Sequence, residues 1–182
     1  MPSSAPSSGY ASGPGPESGP AADERLFRRA LGSFATGVAV VTAVEDGLDH
    51  AMTATAFSSV SLDPLLVLVC VETTARFHEA VLRTGEWAVS ILDAGAQPVA
   101  QWLATRGRSL AGQLDRVPFR RGAVTGAPLL DQASAWVECR TYALHPAGDH
   151  TIVVGEVLGV GVREDDEPGA LVYHRGAYRQ LD

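Results

Sequence analysis

The sequence has no G-x-x-x-x-G-K-[ST] loop and no G-x-G-x-x-G turn following a strand, so neither of the two common glycine-built phosphate cradles is present. It has no apolar run long enough to span a bilayer, which excludes a transmembrane helix. Its first residues lack both a basic n-region and an apolar h-region, so no secretory signal is expected. Cysteine is scarce. Cys70 and Cys139 both sit in apolar, strand-like runs and read as small core residues of a reducing, cytoplasmic compartment, although the sequence alone leaves a bridge between them open. The five histidines (His50, His78, His145, His150 and His174) are scattered, and none has metal-ligand spacing with a cysteine, so no metal is expected. A G-x-S-x-G elbow is missing. Paired acid/base carboxylates are missing too, since Asp165, Asp166 and Glu167 read as a solvated turn. Positive charge is in deficit, with fourteen basic against twenty-one acidic residues and a formal charge of -7, a balance that attracts neither nucleic acid nor an anionic membrane.

What is present describes one globular domain. The chain has 182 residues, 46% hydrophobic and 19% charged, enough to bury a core. Residues 1–22, mainly Pro, Ser, Gly and Ala, are expected to be disordered, with the domain spanning 23–182. Asp23 caps an expected helix to Ala35 with an apolar stripe of Leu26, Phe27, Ala30, Leu31 and Phe34. Val38–Val44 is β-rich, Asp46-Gly47 signals a hairpin, and Leu65–Val71, apolar on both faces, reads as a central strand. Thr73-Thr74 is placed to cap a helix over 75–83, and a second short helix is expected over 96–105. Arg106–Gly126 reads as a long loop of the functional or mobile kind. Ala133–His145 alternates throughout, and His150–Val162 returns after a turn, with Gly155, Gly159 and Gly161 marking bends. Leu171–Tyr173 and Ala177–Leu181 close the chain around Arg175-Gly176. Seven or eight strands with a few helices, outside βαβ alternation and without an internal repeat, favour a closed or nearly closed antiparallel barrel.

Two stretches carry chemistry. Met52–Pro64 crowds Thr53, Thr55, Ser58, Ser59 and Ser61 into nine positions, supplying hydroxyl donors where the backbone can approach a ligand. Gly148-Asp149-His150-Thr151 places an imidazole where a turn meets a strand, at a cleft rim. Each also fits an ordinary turn. Arg106 and Arg108, just past a helix, are better phosphate candidates than Arg120 and Arg121. Trp102 and Trp136 read as core or interface.

Taken together, Phe34–Thr42, Met52–Pro64, the G-D-H-T…G-E-V segment Gly148–Val157 and the tail Leu171–Leu181 resemble, in that order, the short-chain flavin reductases of two-component flavin-dependent monooxygenases. The resemblance implies an FMN-binding split β-barrel, mainly β with a few helices, antiparallel and Greek-key-like, usually a homodimer with flavin near the subunit interface. It implies FAD or FMN as flavin, NADH or NADPH as co-substrate, and a partner monooxygenase that receives the reduced flavin. Carried over by position, Thr36, Gly37, Thr53, Ala54, Thr55, Ser59, Val60, Ser61 and Arg108 would contact flavin, and His150 and Tyr178 the nicotinamide nucleotide. No residue is expected to act as an acid/base catalyst. The chain departs from the pattern at Thr55, where the family commonly has Asn, at Leu65, where a second Pro is frequent, and in the Arg106–Gly126 loop. A flavin-binding module without nicotinamide turnover is the alternative, and a zinc hydrolase a distant third.

Overall fold

The first helix, α1 (Glu24–Leu31), is capped as the sequence suggests: the Asp23 carboxylate accepts from the Arg25 backbone N–H at 2.9 Å. It stops four residues short of Ala35, with Gly32 at the C-cap. Its apolar stripe is not in the core. Leu26, Phe27, Leu31 and Phe34 are 54% to 72% exposed. The structure, a computed structural model, describes residues 23–164 and 169–181. The tail 1–22 and the acidic turn at Asp165–Glu167 lie outside the described residues.

The remaining elements follow in order. They are β1 (Thr36–Gly37), β2 (Ala39–Glu45), β3 (Leu48–Ala54), β4 (Phe57–Leu62), β5 (Leu65–Glu72), α2 (Arg76–Thr84) and β6 (Glu86–Leu92). After a 3₁₀ turn at Ala94–Ala96 come α3 (Gln97–Ala104), β7 (Phe119–Arg121), β8 (Pro128–Leu130), β9 (Ala133–Ala147), β10 (His150–Val162), β11 (Ala170–His174) and β12 (Ala177–Leu181). Seven strands form one antiparallel sheet, ordered β3-β2-β6-β9-β10-β5-β4, which is not hydrogen-bonded shut between β3 and β4. This matches the nearly closed form of the expected barrel. Smaller sheets, β1-β11-β12 and β7-β8, bring the count to twelve among the described residues, above the seven or eight expected, and β1, β7 and β8 among them have only two or three residues each.

The hairpin signals hold for physical reasons. Asp46 and Gly47 both have positive φ (51° and 77°), as do Arg175 and Gly176 (49° and 76°), the requirement of the two-residue turn that matches strand twist. At the β9–β10 hairpin only Gly148 (φ 66°) is left-handed.

The period of two in β2 builds two cores. Ala39, Val41 and Ala43 join Val69, Val71, Phe77, Trp87 and Cys139 beneath α2, while Val38 and Val40 join Leu92, Leu103, Leu130 and Leu171 beneath α3. Each such Val, Leu or Phe side chain, fully buried, stabilises the fold by roughly 1.5–3 kcal/mol of transfer free energy. β5 differs from its reading as a central strand. It lies second from the sheet edge, with Val67, Val69 and Val71 buried and Leu66, Leu68 and Cys70 only half-buried. Both cysteines are free thiols.

Candidate functional site

The site begins where β3 meets the two helices. The Thr53 hydroxyl donates to the Ala100 carbonyl at 2.8 Å, fastening β3 to α3. On one side of Thr53 lies a cleft of about 460 Å³, walled by His50–Thr53, Glu72, the first turn of α2 and the 103–113 segment. Arg76, Arg106 and Arg108 line it, against one carboxylate, Glu72. The Thr74 hydroxyl (2.9 Å) and then Arg106 (2.6 Å) hold the Glu72 carboxyl below its usual range.

The expected Thr73-Thr74 cap of α2 does not form. Thr73 donates to the Asp149 carbonyl and Thr74 to Glu72, leaving Ala75 at the N-cap with no side-chain partner for the helix. The cap position falls instead on Ala75, one residue past the threonine pair. An uncapped α2 therefore presents its positive end to a cleft lined by arginines, an arrangement suited to anions.

The cleft also holds unmet hydrogen-bonding capacity. Arg108 donates to the Thr105 carbonyl at 2.8 Å and to the Ala51 carbonyl, yet its buried Nε has no partner, and burial followed by the nearby Arg76 lowers its pKa. Gln113 donates to the Asp49 carbonyl while its Oε1 is buried and unpartnered. His50, 6% exposed, has an unpartnered Nδ1 and an Nε2 3.4 Å from Glu45, which in turn meets Arg83 at 2.9 Å. Desolvation lowers the His50 pKa, opposed by Glu45. Arg108, Gln113 and His50, which all line this cleft, thus each carry a buried polar atom without a partner, an uncommon state for buried polar groups.

Thr53, Ala104 and Thr105 are shared with a second cleft of about 650 Å³, lined by Thr55, Gln97, Gln101, Tyr173, Tyr178 and Arg179 among others. Tyr173 and Tyr178 meet edge to face, with ring centroids 5.2 Å apart. The two clefts adjoin through these shared residues, and the resulting trough brings together Thr53, Thr55, Arg108 and Tyr178 of the residues singled out from the sequence. Ala54 is buried within the sheet, and the hydroxyl of Thr36, whose Cα partner in the ladder is Tyr173, is buried without a partner. Gly37 is exposed beside it. Ser59, Val60 and Ser61 line neither cleft; they lie on the edge strand β4, with Val60 48% exposed. His150 starts β10 opposite Glu72 but does not itself line the first cleft, and its Nδ1 is 2.7 Å from Asp149.

Sequence reasoning missed Arg76, Gln113, Tyr173 and the place of His50 in the cleft wall. Arg76 was findable, because it begins a helix. Gln113 had no local signal. Among the described residues no group of three or more His, Cys, Asp or Glu is arranged to hold a metal ion, and no helix is long and apolar enough to cross a membrane.

A mainly β frame with a cationic, hydroxyl-rich trough suits an anionic ligand of nucleotide size. The family profile "Flavin reductase like domain" matches residues 31–182, and the chain belongs to that family. It is 42% identical over 161 residues to an NADH-dependent flavin reductase of Rhodococcus sp, covering 86% of this chain and 85% of that one. Among solved structures it is similar to the flavin reductase component of a bacterial two-component tryptophan halogenase, with TM-score 0.82, 49% identity, and coverage of 87% of this chain and 98% of the other. It is also similar to an NADH:FAD oxidoreductase of Streptomyces globisporus in complex with NAD and FAD fragments, with TM-score 0.81, 37% identity, and coverage of 87% and 93%.

Proposed function

We propose that this protein is an NAD(P)H:flavin oxidoreductase of the EC 1.5.1 type, which reduces FAD or FMN and releases the reduced flavin to a partner flavin-dependent monooxygenase. The observation that carries this reading is the trough of two adjoining clefts, lined by arginines and hydroxyl side chains beside the uncapped start of α2. Relatives that act on flavin with NADH, and a structural neighbour that holds NAD and FAD fragments, support it.

Flavin, when bound, supplies the hydride acceptor, so the protein has to bind, orient and exclude water. Arg108, Arg76 and the α2 N-terminus hold the phosphate end. Thr53, Thr55 and Tyr178 line the middle of the trough, and Thr36, Gly37 and Ala54 form its backing. Ser59, Val60 and Ser61 belong to the flavin's far edge, offered by the strand that continues from Thr55. Asp149 fixes the Nδ1 side of His150, leaving Nε2 to orient the nicotinamide nucleotide. No side chain needs to exchange a proton for turnover.

The working unit is a homodimer. Its interface draws on the exposed apolar residues of α1 and of the β4, β5 and β10 surfaces, where Leu62, Val160 and Val162 are 84%, 72% and 68% exposed. The setting is the cytoplasm, where NADH is available and Cys70 and Cys139 stay reduced.

The test mixes purified protein with NADH or NADPH and excess FAD or FMN, and follows the nicotinamide absorbance. Flavin-dependent oxidation is expected. Flavin binding without oxidation by either nucleotide would make the protein a binding module instead. Sedimentation at equilibrium reads the dimer.

A further inference from the structure

His150 stands at the tip of the β9–β10 hairpin, which turns over Gly148 at φ 66°. The tip is open to solvent: the Asp149 side chain is 88% exposed and that of His150 42%. The contact between these two, Asp149 Oδ1 to His150 Nδ1 at 2.7 Å, joins neighbours in sequence. It sets the ring within the tip, and the tip itself has to be held by something else.

That hold comes from the connection between β5 and α2. Thr73 presents two donors to one acceptor. Its backbone N–H reaches the Asp149 carbonyl at 3.0 Å, and its hydroxyl reaches the same oxygen at 3.1 Å. On the other side of His150, the Thr151 hydroxyl lies 2.9 Å from Nε2 of His78 in α2. Side chains alternate along a strand, so buried Thr151 faces α2 while His150 is turned the other way. The residues before and after His150 are thus both tied to one short segment, and that segment is also a wall of the first cleft. Within 72–78 every residue lines the cleft except Thr73 and His78, the two that reach to the hairpin. Glu72, which does line it, is the ladder partner of His150.

Packing alone accounts for a paired hydroxyl at Thr151, which is 8% exposed. It does not account for Thr73. That residue is exposed, where water can pair its hydroxyl, yet the hydroxyl goes to a carbonyl that the Thr73 backbone N–H already satisfies. We propose that Thr73 and His78 are positioning residues for His150. Acting through the Asp149 carbonyl and the Thr151 hydroxyl, they fix the imidazole relative to the Glu72 edge of the first cleft. The effect on turnover rests on the proposed role of His150 with the nicotinamide nucleotide, and the tether itself can be tested without it.

The variants, in the full chain, are Thr73→Val, which loses the hydroxyl and keeps the backbone N–H, Thr73→Ser, which keeps both donors, and His78→Leu. Thr73 is exposed, so Thr73→Val should leave the urea midpoint close to that of the wild type. In histidine-ring NMR spectra the His150 signal, assigned by its loss in His150→Ala, should shift or broaden in Thr73→Val and in His78→Leu. The signal of His174, in β11, should stay in place, and Thr73→Ser should keep the wild-type spectrum. The KM for NADH or NADPH should rise about two- to tenfold in Thr73→Val and in His78→Leu, the equivalent of one ordinary hydrogen bond. The kcat should stay within about twofold, and in a His150→Ala background neither substitution should raise KM further. A His150 signal identical to that of the wild type in both variants overturns the proposal. So does a KM that stays constant while the signal moves, which would leave the tether a purely structural role, or one that rises equally in the His150→Ala background. If no nicotinamide is oxidised with any flavin, the reductase reading fails, and the His150 signal still decides whether Thr73 and His78 hold the ring.

Discussion

Replacing Gly155 by alanine tests how tightly the strand carrying His150 is set into the core. Gly155 lies at a register shift in β10, and a Cβ placed there would be 2.4 Å from Cζ2 of Trp87, 3.2 Å from its Cε2 and 3.0 Å from the Cβ of Cys139. Trp87 and Cys139 are both 0% exposed, so neither has room to yield. Overfilling a core of this kind costs about 1–3 kcal/mol. The lower entropy of the unfolded alanine chain returns about 0.4–1 kcal/mol. The net expectation for Gly155→Ala is a destabilisation of about 1–2 kcal/mol, read as a lower urea midpoint at unchanged slope. Trp87→Phe supplies the internal control. It removes the ring carbons that clash, and because the indole Nε1 has no hydrogen-bond partner, no hydrogen bond is lost with them. Alone it leaves a cavity, but combined with Gly155→Ala it should cost less than the sum of the two, with a coupling of about 1 kcal/mol. A Gly155→Ala protein as stable as the wild type, or a strictly additive double variant, would refute the argument that this bulge exists to clear Trp87.

Four further outcomes are expected. Glu138→Ala should destabilise by about 2–4 kcal/mol in urea, because Glu138 Oε2 accepts from the Val124 N–H (3.0 Å), the Thr125 N–H (2.7 Å) and the Thr125 hydroxyl (2.9 Å), all left without an acceptor; amide exchange should quicken between Gly122 and Gly126. The His50 pKa lies below its ordinary 6.5 in the folded chain, so the unfolded chain binds the proton more readily. The contribution to stability is therefore complete above pH 6.5 and is lost as pH falls through the folded value; urea midpoints should decline with acid in the wild type, and less steeply in His50→Gln. Burial, helped by Glu138, pushes the Cys139 thiol up to about 12, so a disulfide-exchange reagent at neutral pH should modify half-buried Cys70 first and reach Cys139 only on unfolding. Under the proposed role, His150→Ala should raise the KM for NADH or NADPH more than it lowers kcat, and equal falls in kcat and kcat/KM at constant KM would remove His150 from nucleotide orientation.

Much of the frame was readable because it depends on local rules. The alternation of Ala133–His145, the turn residues Asp46-Gly47 and Arg175-Gly176, and the Asp23 cap are each decided within a few residues. The readings that changed were those settled by distant partners. Thr73 has the chemistry of a helix cap, but its hydroxyl donates to the Asp149 carbonyl on the far side of the sequence. The stripe of α1 has the period of a core-facing helix, yet nothing among the described residues covers it. Periodicity reports that a face is apolar, and leaves open whether the covering surface belongs to the same chain. The trough was legible only in part for a related reason. Thr53 and Thr55 stand in one compositional cluster, but Gln113 enters the site from a loop sixty residues away, where its neighbours Gly112 and Leu114 give it no marked context.

Net charge taught less than charge placement. The surplus of acid in the composition argues against a nucleic-acid partner for the surface as a whole, and it would argue equally against a dinucleotide if charge acted only as a sum. Fields near a surface are set within roughly a Debye length of about 8–10 Å in physiological salt. Within that range the trough presents arginines and the uncapped start of α2, with Glu72 already neutralised by Arg106. An acidic exterior around a basic groove then has two consequences. It discourages extended polyanions, which must lie across the exterior as well, and it leaves the groove open to compact anions small enough to fit inside. Raising the salt concentration should therefore weaken nucleotide binding in the trough while doing little to the fold, whose two cores beneath α2 and α3 are held by apolar side chains.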